Sequence, residues 1–196
     1  MRLKDFPSFI RTTDPDDAML TLTLHSTECQ CSVPSAVVFH TFEELESQVI
    51  SAMSDILPPI YAMGPLPLLR EACASASNDH AASTSAASSL SKEDHACQVW
   101  LHGKRPNSVV FTMLCWPFGA DQQTNTRMPC TEWRVSVEIS EDPGREEVEA
   151  AIPQVMGRGR GQELRGSAAE WKDKAALAAR PGGSAWVNLE TRCLLL

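Results

Sequence analysis

Residues 19–25 read MLTLTLH. Leu20, Leu22 and Leu24 would fall on one side of an extended chain, and Thr21, Thr23 and His25 on the other. That period of two predicts a half-buried strand and makes the chain a sheet protein. A second short strand, AVVFH (36–40), follows a turn at Pro34. Upstream, residues 1–18 are polar and broken by Pro7, Pro15 and aspartates, so they are expected to form a loose arm.

Downstream, Thr41-Phe42-Glu43-Glu44 has the spacing of a capping box, and the acidic residues after Thr41 suit the positive end of a helix dipole. Phe42, Leu45, Val49, Met53 and Ile56 recur every three or four residues, giving a helix one apolar face that Pro58-Pro59 ends. Residues 71–95 are rich in Ala and Ser and nearly free of large apolar side chains, the composition of a flexible insertion. QVWLH (98–102) and SVVFTMLCW (108–116) flank GKRPN and read as a hairpin. EWRVSVEI (132–139) alternates again, and Asp142-Pro143 opens a helix carrying Val148, Ile152 and Val155. Beyond Gly157 the periodicity fades, and residues 157–196 are expected to be a disordered basic tail. The fold expected is α+β: a small antiparallel sheet with two helices packed on one face, over residues 19–156.

The net charge of −8 argues against a general nucleic-acid binder, and the two arginines of GRGRG (157–161) are a poor phosphate footprint. The start, MRLKDFPSFI, lacks the apolar core of a secretory signal. The chain is therefore expected inside the cell: in the cytoplasm, in the nucleus or at the periphery of a membrane. Its seven cysteines are then reduced thiols.

No nucleophile elbow, phosphate loop or HExxH pattern is present, so no catalytic residue is assigned. Cys29 and Cys31 near His25, and His95 and Cys97 near His102, are spaced unlike ordinary zinc ligands. No metal site and no cofactor are assigned, and a thiol- or zinc-dependent enzyme is the alternative reading. Cys193-Leu194-Leu195-Leu196 fits a C-a-a-X prenylation pattern, which makes Cys193 a candidate lipid-bearing thiol and a prenylated membrane-associated protein a further alternative. Trp116, Pro117 and Phe118 end a strand, and Pro117 removes a backbone donor there. If exposed, these residues would anchor a partner protein.

In order, AMLTLTLHST (18–27), FEELE (42–46), WPF (116–118) and EWRVSVEI (132–139) resemble the HORMA-type autophagy-initiation subunit that carries a Trp/Phe finger. The resemblance covers about half the chain. It implies a non-enzymatic adaptor or scaffold that pairs with another HORMA-type subunit and recruits factors through Trp116 and Phe118.

Overall fold

The structure is a computed structural model that describes residues 2–77, 95–104 and 113–193. Two small parallel sheets replace the expected antiparallel one. Strand β1 (Val37–Phe39) pairs in parallel with β2 (Ile60–Ala62), and helix α2 (Glu43–Ser54) connects them. Strand β3 (Met113–Cys115) pairs in parallel with β4 (Ser136–Glu138). Their connection holds helix α5 (Gln122–Arg127) and a π-helical turn (Met128–Glu132). Parallel neighbours need such a crossover, because a tight turn cannot bring the chain back to the same end of the sheet.

MLTLTLH belongs to helix α1 (Ala18–Ser32), not to a strand. Asp17 decides this locally: its carboxylate accepts from the N–H groups of Met19 and Leu20. The threonines then turn their hydroxyls back along the helix, Thr21 to the Asp17 carbonyl, Thr23 to Met19 and Thr27 to Thr23. The leucines gain no core by it, since Leu22 and Leu24 each stay 57% exposed. QVWLH likewise lies in a helix, α4 (His95–His102). The hairpin expected over 98–116 is therefore absent at its first strand, while residues 105–112 lie outside the described set. EWRVSVEI keeps only β4 extended, because Arg134 turns with a φ of 55°.

Two expected helices are present with altered starts. Helix α2 begins at Glu43 with Phe42 as its cap, so the Thr41 hydroxyl is left buried without a partner instead of closing a capping box. Helix α6 (Arg145–Met156) begins after Gly144 and accommodates Pro153 inside it. Residues 71–77 continue helix α3 (Leu66–Ser77), and residues 78–94 of the expected insertion lie outside the described set.

The segment expected to be a disordered tail is the structural spine. Helix α7 (Arg160–Ala179) gives Leu164 to a cluster with Val137, Val155 and Leu114 under the β3–β4 sheet. Its other end gives Trp171, Ala175, Ala178 and Ala179 to a second cluster with Phe42, Leu69 and Ala185. Helix α8 (Ser184–Cys193) closes that cluster, and Asn188 donates to the Ala62 carbonyl at the end of β2. The composition misleads because much of α7 packs through small residues: alanines at 1–2% exposure carry the contact that a tail prediction assigns to bulky ones. Close approach also fixes Gly161, where a Cβ would lie 2.2 Å from the Val155 carbonyl oxygen of α6.

The N-terminal arm is held as well. Leu3–Asp5 form a 3-10 turn, Asp5 is buried, and Arg2 and Arg127 both bridge its carboxylate at 2.8 and 3.4 Å. Thr124 of α5 donates to the Asp5 carbonyl.

Candidate functional site

Ligands of parallel α/β sheets gather outside the carboxyl ends of the strands, where the connecting loops converge. In the β3–β4 unit, that end is built by residues 116–122 and 139–141. Trp116, Pro117 and Phe118 leave β3 as a bent finger. Pro117 is buried and carries the bend, while Trp116 is 55% and Phe118 81% exposed. The two rings meet edge to face with centroids 6.3 Å apart. The Trp116 indole N–H donates to the Glu141 carbonyl at 2.9 Å, tying the loop after β3 to the loop after β4.

Gly119 and Ala120 turn the chain, Ala120 with a φ of 54°. Asp121 and Gln122 follow, both exposed. The Gln122 side-chain oxygen Oε1 accepts from the Phe118 N–H at 2.8 Å, so the NH2 is the donor end of the carboxamide. One Asp121 carboxylate oxygen accepts from the Asn125 amide at 2.8 Å. Across the site, Glu147 of α6 accepts from both the Ser140 N–H and its hydroxyl, which holds the Glu147 carboxyl below its ordinary pKa. The rim thus presents two aromatic rings, a fixed carboxylate and an amide donor. A carboxylate and a carboxamide together can bond the vicinal hydroxyls of a polyol, and aromatic faces suit its apolar C–H side.

Of the residues singled out in the sequence, Trp116, Pro117 and Phe118 lie together at this end. Cys193 is the last residue of α8, far along the chain from it, and residues 194–196 of the prenylation pattern lie outside the described set. His25 and Cys29 are one turn apart on α1, with Nε2 and Sγ at 3.8 Å. Among the described residues no three His, Cys, Asp or Glu side chains gather as metal ligands would. Asp121 and Gln122 are not among the residues singled out in the sequence. The signal that could have found them is their place directly after a strand that opens a crossover.

A second concavity, a cleft of about 420 Å³, separates α2 from the π-helical turn. Leu45, Val49, Met128, Trp133 and Trp171 line it, with Glu44, Glu132 and Arg127 among its polar residues.

Comparison with known proteins replaces the HORMA resemblance. No protein-family profile matches the chain. The 7-deoxyloganetin glucosyltransferase of Gardenia jasminoides is 31% identical over an aligned span of 284 residues, covering 97% of this chain and 58% of the relative. The (R)-mandelonitrile beta-glucosyltransferase of Prunus dulcis is 29% identical, covering 97% and 58%. Among solved structures, Phytolacca americana UGT2 complexed with UDP-2fluoro-glucose and pterostilbene matches with a TM-score of 0.69 at 14% identity, over 98% of this chain and 59% of that one. A Siraitia grosvenorii ugt transferase in complex with UDP matches with a TM-score of 0.62 at 17% identity, over 97% and 65%.

The chain therefore shares part of the GT-B fold of these structures, and the expected α+β antiparallel sheet with two helices on one face is corrected accordingly. It spans 58% of the length of these relatives. The aligned span of 284 positions also exceeds the chain's own 196 residues, so the relatives carry internal segments with no counterpart here. The relatives are enzymes that act on small molecules. This overturns the expected autophagy adaptor, its HORMA-type partner subunit, and the thiol- or zinc-enzyme and prenylated alternatives.

Proposed function

We propose that the chain is part of a UDP-sugar-dependent glycosyltransferase that transfers glucose to the hydroxyl of a small organic molecule. The observation that carries this reading is the likeness, over 97% of the chain, to enzymes named for glucosyl transfer to 7-deoxyloganetin and (R)-mandelonitrile. The fold supports it independently, since a structure of the same fold is complexed with UDP-2fluoro-glucose and pterostilbene. In such a reaction the acceptor oxygen bonds the anomeric carbon of the sugar and gives up its proton, while the bond from that carbon to the diphosphate oxygen breaks and UDP leaves with its electron pair.

The residues present here suit the sugar end of that reaction. Asp121 would accept from two neighbouring sugar hydroxyls, and the Gln122 amide would donate to a third. Trp116 braces the loop that carries them through its bond to Glu141. Fixing the sugar's orientation before the acceptor arrives is how such groups lower the barrier.

Binding tests this reading better than turnover, because the relatives carry internal segments that this chain lacks. Titrating UDP-glucose into the purified chain by calorimetry should give a saturable isotherm. Asp121→Ala should weaken it at least ~10-fold, the loss of a charge-assisted pair of hydrogen bonds, with the circular dichroism spectrum unchanged. Absence of saturable binding to both UDP and UDP-glucose would refute the reading.

A further inference from the structure

We propose that His25 and Cys29 form a two-ligand site on helix α1 for a thiophilic cation of the zinc class. The helix creates the pair. Along an extended chain, side chains four residues apart lie roughly 13 Å from one another. On a helix they are neighbours on one face. Asp17 caps α1, and the Thr21, Thr23 and Thr27 hydroxyls turn back onto carbonyls of the same helix, so the turn that carries His25 and Cys29 is set by its own sequence. The His25 Nε2 and the Cys29 Sγ then stand 3.8 Å apart, and both residues are exposed.

That separation is close to the one a shared cation requires. Zinc binds thiolate sulfur at about 2.3 Å and imidazole nitrogen at about 2.0–2.1 Å, and tetrahedral bonds of those lengths put the two donor atoms about 3.6 Å apart. Closing the observed 3.8 Å by about 0.2 Å is within the reach of side-chain torsions. One thiolate with one imidazole favours zinc, cobalt or copper over magnesium or calcium. On binding, the Cys29 thiol gives its proton to the solvent as the sulfur–metal bond forms. Nε2 offers its lone pair with the imidazole proton on Nδ1, and the two side chains replace two waters of the cation. Among the described residues no group of three His, Cys, Asp or Glu side chains assembles here, so the remaining positions on the cation belong to water. The pair is a chelate on an open surface, and no reaction is assigned to it.

Helix α1 has little else to hold it, since Leu22 and Leu24 are each 57% exposed. A cation bonded across one turn would keep that turn closed and stabilise the helix by mass action. Neither residue takes part in the sugar-binding arrangement, so the site does not depend on the function proposed above.

The test is zinc protection of individual thiols in the full chain. The metal-free, reduced protein is treated with N-ethylmaleimide with and without Zn2+, quenched, digested and read cysteine by cysteine by mass spectrometry. Zn2+ should slow alkylation of Cys29 at least ~10-fold, because two donors on one frame bind far more tightly than either alone. Cys31, two residues on and facing elsewhere on the helix, should be protected much less. Mg2+ should protect neither. His25→Ala should abolish most of the Cys29 protection at the same Zn2+ concentration while α1 keeps its helix, since alanine favours one. Cys29 alkylated equally fast with and without Zn2+, protected equally by Mg2+, or protected equally in His25→Ala would overturn the proposal. None of these readouts involves a sugar nucleotide, so a chain that fails to bind UDP-glucose can still pass or fail here.

Discussion

Trp171 is where the two halves of the molecule are joined, and its replacement separates two kinds of interaction. The ring belongs to the Phe42 cluster and meets Phe42 edge to face, with centroids 6.5 Å apart. Its indole N–H donates to the Trp133 carbonyl at 3.0 Å, on the turn that leads into β4. Trp171→Phe keeps most of the ring and removes only the donor, which should cost about 1 kcal/mol. Trp171→Ala also loses the burial of a half-buried ring and the contact with Phe42, for about 3 kcal/mol in all. Equilibrium unfolding in urea, followed by circular dichroism, measures both. For the Phe variant the midpoint should fall with an unchanged slope. For the Ala variant the Phe42 cluster also loses a packed ring, and the midpoint should fall further. Equal costs for the two substitutions would refute the assignment, because the hydrogen bond would then carry the whole effect or none of it.

Gly64→Ala should destabilise the chain by about 2 kcal/mol, since the new Cβ would lie 2.9 Å from the backbone N and O of Thr41; thermal unfolding reads it. Pro153→Ala should raise the midpoint, because a proline inside α6 removes a helix hydrogen bond worth recovering. Asp5 is lowered from 3.8 to about 2, chiefly by its hydrogen bonds from Arg2, with Arg127 adding charge. A depressed carboxyl stabilises the fold above its unfolded value and loses that contribution as pH falls from about 4 towards 2. Melting temperature against pH should therefore drop over that window in the wild type and be flatter in Asp5→Asn.

The sequence was legible where one signal dominated. The apolar spacing of Phe42, Leu45 and Val49 gave α2, and Val37–Phe39 was found inside AVVFH because β-branched residues crowd a short segment. Phe118 lies outside, as a ring after a strand-ending proline can. It misled where periodicity competed with a cap. The Leu/Thr alternation of MLTLTLH fits a strand, but Asp17 and the threonine hydroxyls satisfy a helix locally. Strand direction was invisible, because β3 and β4 are three residues each and neither pairs with its nearest neighbour in a tight turn. The resemblance to a HORMA subunit rested on the order of four short apolar segments, which many α/β chains share. Asp121 and Gln122 gained meaning only once β3 was known to end at Cys115.

The bonds that close the Phe42 cluster join residues far apart in the chain. Trp171 meets Phe42, Ser184 donates to Glu44 across 140 positions, and Asn188 reaches back to Ala62 across 126. During synthesis, then, β1, α2 and β2 leave the ribosome with nothing to lie against. They must wait until α7 and α8 have been made, their apolar faces open to holding chaperones throughout. A stop codon before the alanines of α7 would leave a nascent product whose Phe42 cluster stays open, and quality control would meet it as incompletely folded.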